Sequence, residues 1–249
     1  MFDLEIIDSS INGRFYEDQD GNIYPSVTTK TDKVVPKGER FFNWALNQRS
    51  KKEADEYKDK RAQQGSNVHE ACEELASGSE VDLTNFANRS KKMIQGYQNF
   101  WDKKNPTIID LEFSLKSDKY IYAGTADLLA KIPSEDAEYQ LIDLKTSSSI
   151  YLNHKVQLMM YMQALDEHDI VSLDQASIHI LHLKERTNKG YHLKEIEYVP
   201  EMVEIFNRLY NHDYFDRGDM EPKFPKRYPD SIKLDEDKGE FAGEEELPF

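Results

Sequence analysis

Two charged residues interrupt an apolar stretch near the middle of the chain, at residues 140–146, which read QLIDLKT. The composition is typical of a short buried strand, in which side chains point alternately to opposite faces. Asp143 and Lys145 therefore share one face of that strand. A carboxylate and an ammonium are costly to bury unless they pair with each other or bind a metal ion. The stretch alone is compatible with a structural ion pair as well as with a reactive site.

A second apolar stretch, at residues 122–130, reads YAGTADLLA and contains one carboxylate, Asp127. A connection rich in turn-forming residues follows it, so the two stretches are predicted to form an antiparallel hairpin. Such a hairpin brings Asp127 close to Asp143. Two buried carboxylates repel each other and resist ionisation unless a cation lies between them. Oxygen-rich sites of this kind suit Mg²⁺ or Mn²⁺, with water and a substrate phosphate completing the coordination shell.

These stretches and three others together resemble a known family. GTAD at 124–127, followed by IDLKT at 142–146, resembles the core of the PD-(D/E)xK nuclease superfamily. QLMMY at 157–161 is similar to the QxxxY signature of its RecB-like branch, and GSNVH at 65–69 resembles the GxxxH element of that branch. YPSVTT at 24–29 is similar to the N-terminal stretch of the mitochondrial genome maintenance exonuclease group and its phage relatives.

The resemblance implies an α/β fold with a restriction-endonuclease-like core, in which a mixed sheet is flanked by helices beside an N-terminal helical segment. It also implies a metal-dependent DNA exonuclease that hydrolyses phosphodiester bonds of single-stranded DNA or duplex ends. Two alternatives stay open: a structure-specific endonuclease on the same core, and a non-catalytic protein that binds nucleic acid as an accessory.

The resemblance also assigns roles to individual residues. Asp127, Asp143 and Lys145 are expected to be catalytic. Asp127, Asp143, the carbonyl of Leu144 and His69 are expected to bind Mg²⁺ or Mn²⁺. The metal lowers the pKa of a bound water and offsets charge on the phosphate. Lys145 is expected to orient or help deprotonate that water and to stabilise the transition state.

The expected substrate contacts come from the helix after the hairpin. Gln157 and Tyr161 are four residues apart, so they share one helix face, and the resemblance implies that they contact the DNA backbone. Any amphipathic helix can carry such a pair. His69 lies beside an apolar helix face and is either a metal ligand or a structural histidine.

Two further features are open to two interpretations. Glu112 precedes the 124–127 element at a distance where some superfamily members carry an extra acidic residue, but it also fits a solvated strand face. The hydroxyls of Ser26, Thr28 and Thr29 could contact a phosphate or belong to ordinary strand residues.

Hydrophobic periodicity predicts the remaining elements. Residues 1–29 are expected to form short strands and turns, and residues 38–77 to be mainly helical, with a break or bend at Gly65 and with Phe41 and Trp44 facing inward. Strand 108–116 is expected to place Leu111 and Phe113 on one face. Further helices are predicted at 86–104, 150–167 and 201–217, and a hairpin at 176–183 and 191–198.

Composition restricts the classes of protein further. Of the 249 residues 38% are hydrophobic and 32% are charged, which is typical of one domain with a very polar surface. The net charge of −15 is unusual for a DNA enzyme, because phosphate contacts usually dominate nucleic-acid affinity. Residues 86–104 carry five basic residues and one acidic residue, which form either a local basic surface or the solvated face of a helix.

Several features are absent from the sequence. No apolar run approaches the roughly 20 residues that cross a bilayer, and the first residues lack the basic and apolar regions of a signal peptide. The single cysteine, Cys72, rules out an internal disulfide and a four-cysteine iron–sulfur cluster. No GxxxxGK(S/T) motif is present, so nothing indicates ATP hydrolysis. We expect the protein in the cytoplasm of a prokaryotic or phage-infected cell.

The chain is expected to consist of a nuclease domain at 1–220, a proline-rich linker at 221–230 and an acidic, disordered tail at 231–249. The tail ends in EEELPF and resembles the acidic tip of bacterial single-strand DNA-binding proteins. A pocket on a partner that reads such tips could take the ring and carboxylate of Phe249. Alternatively, the tail aids solubility or folds over a basic groove as a DNA mimic.

Overall fold

A five-stranded sheet forms the centre of this computed structural model, which describes residues 2–36, 38–215 and 220–225. The strands are β1 (Glu5–Ser9), β2 (Gly13–Glu17), β3 (Ile23–Pro25), β4 (Thr107–Ser117), β5 (Tyr122–Lys131), β6 (Tyr139–Lys145), β7 (Ala176–Leu183) and β8 (Tyr191–Ile196). The helices are α1 (Val27–Val34), α2 (Glu39–Leu46), α3 (Lys51–Ala76), α4 (Asn88–Lys104), α5 (Leu152–Glu167) and α6 (Pro200–Phe215).

The central sheet has the strand order β4-β5-β6-β7-β8. Only β6 and β7 pair in parallel, and the other neighbours are antiparallel. A parallel pair needs a crossover connection, which α5 supplies between β6 and β7. The sheet is therefore mixed, as the sequence predicted.

Helices cover both faces of the central sheet. Leu141 on β6 belongs to a hydrophobic cluster with Val156 and Leu158 of α5. The next residue, Ile142, belongs to a second cluster with Met93 and Ile94 of α4. Because adjacent strand residues face opposite sides, α5 and α4 lie on opposite faces of the sheet. The predicted α/β fold, a mixed sheet flanked by helices, is thus confirmed.

The N-terminal residues form a small antiparallel sheet, β1-β2-β3, and then α1. The strands were expected, but the helix was not. Ser26 begins it as an N-cap, because its hydroxyl accepts a hydrogen bond of 2.9 Å from the N–H of Thr29. Burial of Val27 and Thr29 compensates for the low helix propensity of the β-branched residues in α1. Ser26 also pairs with Ala123, which fixes α1 against β5.

The predicted helical segment contains two helices, α2 and α3. Helix α3 runs through Gly65 without ending there, so of the expected break or bend the break does not occur. A Cβ atom at Gly65 would lie 3.0 Å from Oγ1 of Thr146, at the end of β6. The glycine therefore lets the helix approach the strand that carries Asp143 and Lys145.

Strand β4 does not keep the regular alternation that the sequence indicated. Leu111 packs with the α4 cluster, whereas Phe113 packs with the α5 cluster, so the two residues lie on opposite faces. Between them Glu112 has a φ of 46°, in the left-handed region that non-glycine residues rarely adopt. The unusual backbone conformation at Glu112 interrupts the alternation of side chains along β4, so Leu111 and Phe113 point to opposite faces of the sheet.

The end of the chain is described only in part. Glu221 and Lys223, at the start of the predicted linker, hydrogen-bond through their backbones to the side chain of Asn12 at 2.8 and 3.0 Å. The acidic tail at 231–249, with Phe249, lies outside the described residues. Within the described ranges, every helix is too short or too polar to cross a membrane.

Candidate active site

Three carboxyl groups stand side by side on three neighbouring strands. Pairing of Leu128 with Ile142 places Asp127 on β5 opposite Asp143 on β6, one residue further along. The β4–β5 register likewise places Glu112 opposite Asp127. The sequence predicted the meeting of Asp127 and Asp143, and it left the role of Glu112 open.

Lys145 and Asp143 form a buried ion pair. Nζ of Lys145 lies 2.6 Å from Oδ2 of Asp143, and the two side chains are 17% and 3% exposed. Apart from Lys145, no described residue donates a hydrogen bond to that oxygen. The ammonium of Lys145 is thus the contact that offsets the charge of this buried carboxylate.

His69 reaches the same site from α3. Its Nδ1 lies 3.8 Å from Oδ2 of Asp127, and its side chain is 28% exposed. Burial and the charge of Lys145 lower the pKa of His69 to about 4, against the opposing charge of Asp143. The imidazole is therefore neutral at neutral pH, which is the form that binds metal ions.

Glu112 completes a three-residue group with His69 and Asp127. One possible ligand atom from each residue lies within 4.8 Å of the others. Burial, followed by the charge of Asp127, raises the pKa of Glu112 to about 8. Burial also raises the pKa of Asp143 to about 6, and it raises that of Asp127. Three carboxyl groups therefore resist ionisation together, and a divalent cation would relieve their repulsion.

The donor set fits Mg²⁺ or Mn²⁺. Both ions prefer oxygen ligands, and Mn²⁺ also accepts an imidazole nitrogen. Leu144, whose carbonyl was a predicted ligand, donates its N–H to Oδ2 of Asp127. A hydrogen bond from His69 to the Leu144 backbone raises the pKa of His69, but this effect is smaller than the lowering by burial. Of the predicted metal residues, His69 and Asp127 belong to the group that could hold an ion, together with Glu112, whereas Asp143 lies against Lys145 and is not part of that group.

The two predicted substrate residues differ in their surroundings. Tyr161 is only 3% exposed, and its hydroxyl accepts a hydrogen bond of 2.8 Å from Nε2 of Gln157. Its ring lies against Gly124, where a Cβ atom would be 2.5 Å from Cε1. Gln157 is partly exposed, and its Nε2 lies 3.5 Å from Oγ1 of Thr28. Gln157 is therefore accessible to a substrate, and Tyr161 fixes its orientation from within the core.

A cavity of about 1630 Å³ opens above two of the three carboxyl groups, those of Glu112 and Asp127, and Asp143 does not line it. Glu112, Asp127, His69 and Lys145 line it. Thr28 also lines the cavity and is exposed. The hydroxyls of Ser26 and Thr29 are engaged in the cap of α1, so of the three predicted hydroxyls only that of Thr28 faces the cavity.

The sequence analysis missed two contributions to this cavity. Phe41 and Trp44 were expected to face inward, but both line the cavity. A serine loop at 147–149 forms another part of the lining, and Nε2 of the buried His182 donates a hydrogen bond of 2.7 Å to its Ser147 carbonyl. No local sequence pattern marks either feature, because both depend on how distant elements pack.

Comparisons with known proteins extend these observations. The family model of the PD-(D/E)XK nuclease superfamily matches residues 38–227. No curated protein sequence matches the chain. Among solved structures, an alkaline exonuclease from Laribacter hongkongensis, LHK-Exo, superposes with a TM-score of 0.41 and 9% identity, over 78% of this chain and 92% of that one. A protein named SSO0001 superposes with a TM-score of 0.30 and 15% identity, over 59% and 83%.

Proposed function

Because the chain belongs to the PD-(D/E)XK nuclease superfamily, we propose that it is a metal-dependent exonuclease that hydrolyses single-stranded DNA or duplex ends. The observation that carries the proposal is the group of Glu112, Asp127 and His69 beside the Asp143–Lys145 pair, at the base of an open cavity. The exonuclease part rests on the resemblance of residues 65–69 and 157–161 to the RecB-like branch.

The side chains of Asp127, Asp143, Glu112 and His69, with the carbonyl of Leu144, would hold Mg²⁺ or Mn²⁺. The ion supplies a water of lowered pKa and offsets negative charge on the phosphate. The neutral imidazole of His69 contributes a nitrogen lone pair without adding charge. The carboxylates repel one another when the ion is absent and attract it when it binds.

Lys145 acts as a positive charge in this proposal. Although burial lowers its pKa, the charges of Asp143 and Asp127 raise it further, so the net shift is upward. A protonated amine cannot accept a proton from water, but it can orient that water and donate hydrogen bonds to a phosphate oxygen. Lys145 therefore stabilises the developing charge of the transition state. Of the two roles expected for Lys145, the raised pKa favours orientation of the water over its deprotonation.

Gln157 would hold the strand next to the reacting phosphate. Its amide lies 3.5 Å from Oγ1 of Thr28, which lines the cavity, and from there it can donate to a phosphate oxygen. Tyr161 acts through Gln157, because its hydroxyl fixes the amide from the buried side.

The test uses end-labelled single-stranded and duplex DNA, each end blocked in turn, with Mg²⁺, Mn²⁺ or EDTA. We expect metal-dependent release of short products from a free end, and at least a 100-fold loss of rate in Asp143→Asn and Lys145→Met. Lys131→Met is the matched control, because Lys131 lies on the same hairpin, is 41% exposed and does not line the cavity. His69→Ala should lose activity in a metal-dependent way and recover part of it at high Mn²⁺.

The outcomes separate the alternatives. Cleavage of circular single strands would identify an endonuclease on the same core. DNA binding without metal-dependent hydrolysis would identify an accessory protein. Full activity in Asp143→Asn or Lys145→Met would remove this site from the proposal.

A further inference from the structure

Three aromatic side chains form one wall of the cavity above the carboxyl groups. Phe41 and Trp44 come from α2, and Tyr57 comes from α3. The ring centroids of Phe41 and Trp44 are 5.8 Å apart, and those of Trp44 and Tyr57 are 5.6 Å apart. Phe41 is 37% exposed and Tyr57 is 45% exposed. We call these three residues the aromatic wall.

The charges around the cavity do not favour binding through phosphates alone. Five cationic and five acidic residues line it, so its formal charge is balanced. Arg14, Lys58 and Arg89 lie 3.0, 2.6 and 3.5 Å from neighbouring carboxylate oxygens. Lys145 is paired with Asp143. Duplex DNA is held mainly by cations on its phosphates, and this cavity offers few that are uncommitted.

Arg61 is the exception among the cavity cations. No carboxylate lies within ion-pair distance of it in the described part of the chain. Its guanidinium lies 5.2 Å from the ring centroid of Tyr57, and its Nε donates a hydrogen bond of 3.1 Å to the Tyr57 hydroxyl. Arg61 therefore adds a positive charge at the edge of the aromatic wall, where a phosphate flanking a stacked base would pass.

Exposed aromatic rings beside a phosphodiesterase site fit unpaired bases. Bases in a duplex are stacked on one another, whereas bases of a single strand are free to stack on protein side chains. We propose that the aromatic wall stacks with one or two unpaired bases of a single strand while their phosphate reaches the carboxyl groups. The wall thereby selects single strands over duplexes. The identity of the ligand as nucleic acid rests on the proposed nuclease function.

The chain provides its own reporter for this contact. It contains two tryptophans, Trp44 and Trp101, and Trp101 is part of α4 and packs against a buried cluster. In Trp101→Phe, all tryptophan emission comes from the aromatic wall. Oligothymidylate is titrated into this variant in EDTA, so that hydrolysis does not occur. We expect quenching by the oligonucleotide, and at least tenfold weaker binding of a strand of equal length whose bases are removed.

Substitutions then test the wall itself. Phe41→Leu and Tyr57→Leu keep an apolar side chain and remove the ring, and each should weaken binding of a labelled single strand about tenfold. Phe42→Leu is the matched control, because Phe42 neighbours Phe41, is 54% exposed and does not line the cavity. Circular dichroism checks that each variant is folded. The comparison with the abasic strand does not depend on the folding of these variants, because it uses a protein that keeps all three rings of the aromatic wall.

Equal affinity for the normal and abasic strands, equal affinity for a blunt duplex, or absence of quenching at saturation would overturn the proposal. Base-dependent quenching in a protein that hydrolyses no DNA would support the wall and refute the nuclease activity. Hydrolysis of single strands together with binding that does not depend on the bases would support the nuclease activity and refute the role of the aromatic wall.

Discussion

Lys30 lies on the buried face of α1 and has no acidic partner among the described residues, which leads to a quantitative prediction. The residue is 2% exposed, and its Nζ donates hydrogen bonds of 2.8 Å to the carbonyl of Tyr120 and 3.1 Å to Oδ1 of Asn207. The ammonium also lies 5.5 and 4.8 Å from the ring centroids of Tyr122 and Tyr210. Among the described residues, no carboxylate lies within ion-pair distance. Burial lowers the pKa of Lys30 from 10.5 to about 7.

The sign of the pH dependence follows from proton binding. Between about pH 7 and pH 10.5 the unfolded chain holds this proton and the folded chain does not, so the free energy of unfolding rises with pH. One pKa unit corresponds to about 1.4 kcal/mol, so burial of the Lys30 amine lowers the free energy of unfolding by about 5 kcal/mol at pH 6, where the amine stays charged in the fold, and by about 2 kcal/mol at pH 9, where it loses its proton on folding. The difference between these two pH values is about 3 kcal/mol.

Lys30→Met removes the titrating group and keeps a side chain of similar length. Loss of the two hydrogen bonds changes stability by a similar amount at every pH, and that contribution cancels in the comparison. The advantage of the methionine variant over the natural protein should therefore be about 3 kcal/mol larger at pH 6 than at pH 9. Urea unfolding followed by circular dichroism, in EDTA at both pH values, measures it.

The control is Lys52→Met, because the side chain of Lys52 is 86% exposed on α3. It should change the free energy of unfolding little, and equally at both pH values. A Lys30→Met difference that stays constant within about 1 kcal/mol between pH 6 and pH 9 would refute the burial of an unpaired ammonium.

Two further predictions concern the hairpin and the tail. Gly124→Ala places a Cβ atom 2.5 Å from Cε1 of Tyr161 and should lower the free energy of unfolding by about 1–3 kcal/mol. Tyr161→Leu removes the ring and should reduce this loss. A double-mutant cycle measured by urea unfolding tests the coupling. A peptide of the last ten residues should bind a protein that reads single-strand-binding tips and lose that binding without Phe249, as measured by titration. Equal affinity of both peptides would eliminate recruitment, and faster cleavage of naked DNA by tail-deleted enzyme would favour self-masking.

The hairpin that carries Asp127 and Asp143 was predictable because its signals are local. Two apolar runs flank a turn-rich connection, and alternation along each run fixes which residues meet. The observed pairing of Leu128 with Ile142 follows that pattern. Gly124 was not predictable in this way, because only the structure reveals that the Tyr161 ring occupies the space of its missing side chain.

The aromatic wall was not predictable because the same helical spacing fits both a face that packs against the core and a face that borders a cavity. Phe41 and Trp44 recur at helical spacing, which normally indicates a face that packs against the core. In the structure that face borders a cavity, since α2 packs with Tyr57 of α3 at one edge of the site. Hydrophobic periodicity predicts that a helix has an apolar face, but it does not predict whether protein or substrate covers that face.

The position of Glu112 at the site could not be predicted from the local sequence. Its position opposite Asp127 depends on the register of the β4–β5 hairpin, whose connection at 118–121 has no glycine or asparagine for the position of positive φ. Ile121 instead adopts a φ of 52° there, which is rare for a β-branched residue. Glu112 has its own left-handed φ of 46°, which costs on the order of 1–2 kcal/mol. Burial of its carboxyl group adds a second cost, and a cation bound between Glu112 and Asp127 would offset this second cost but not the first.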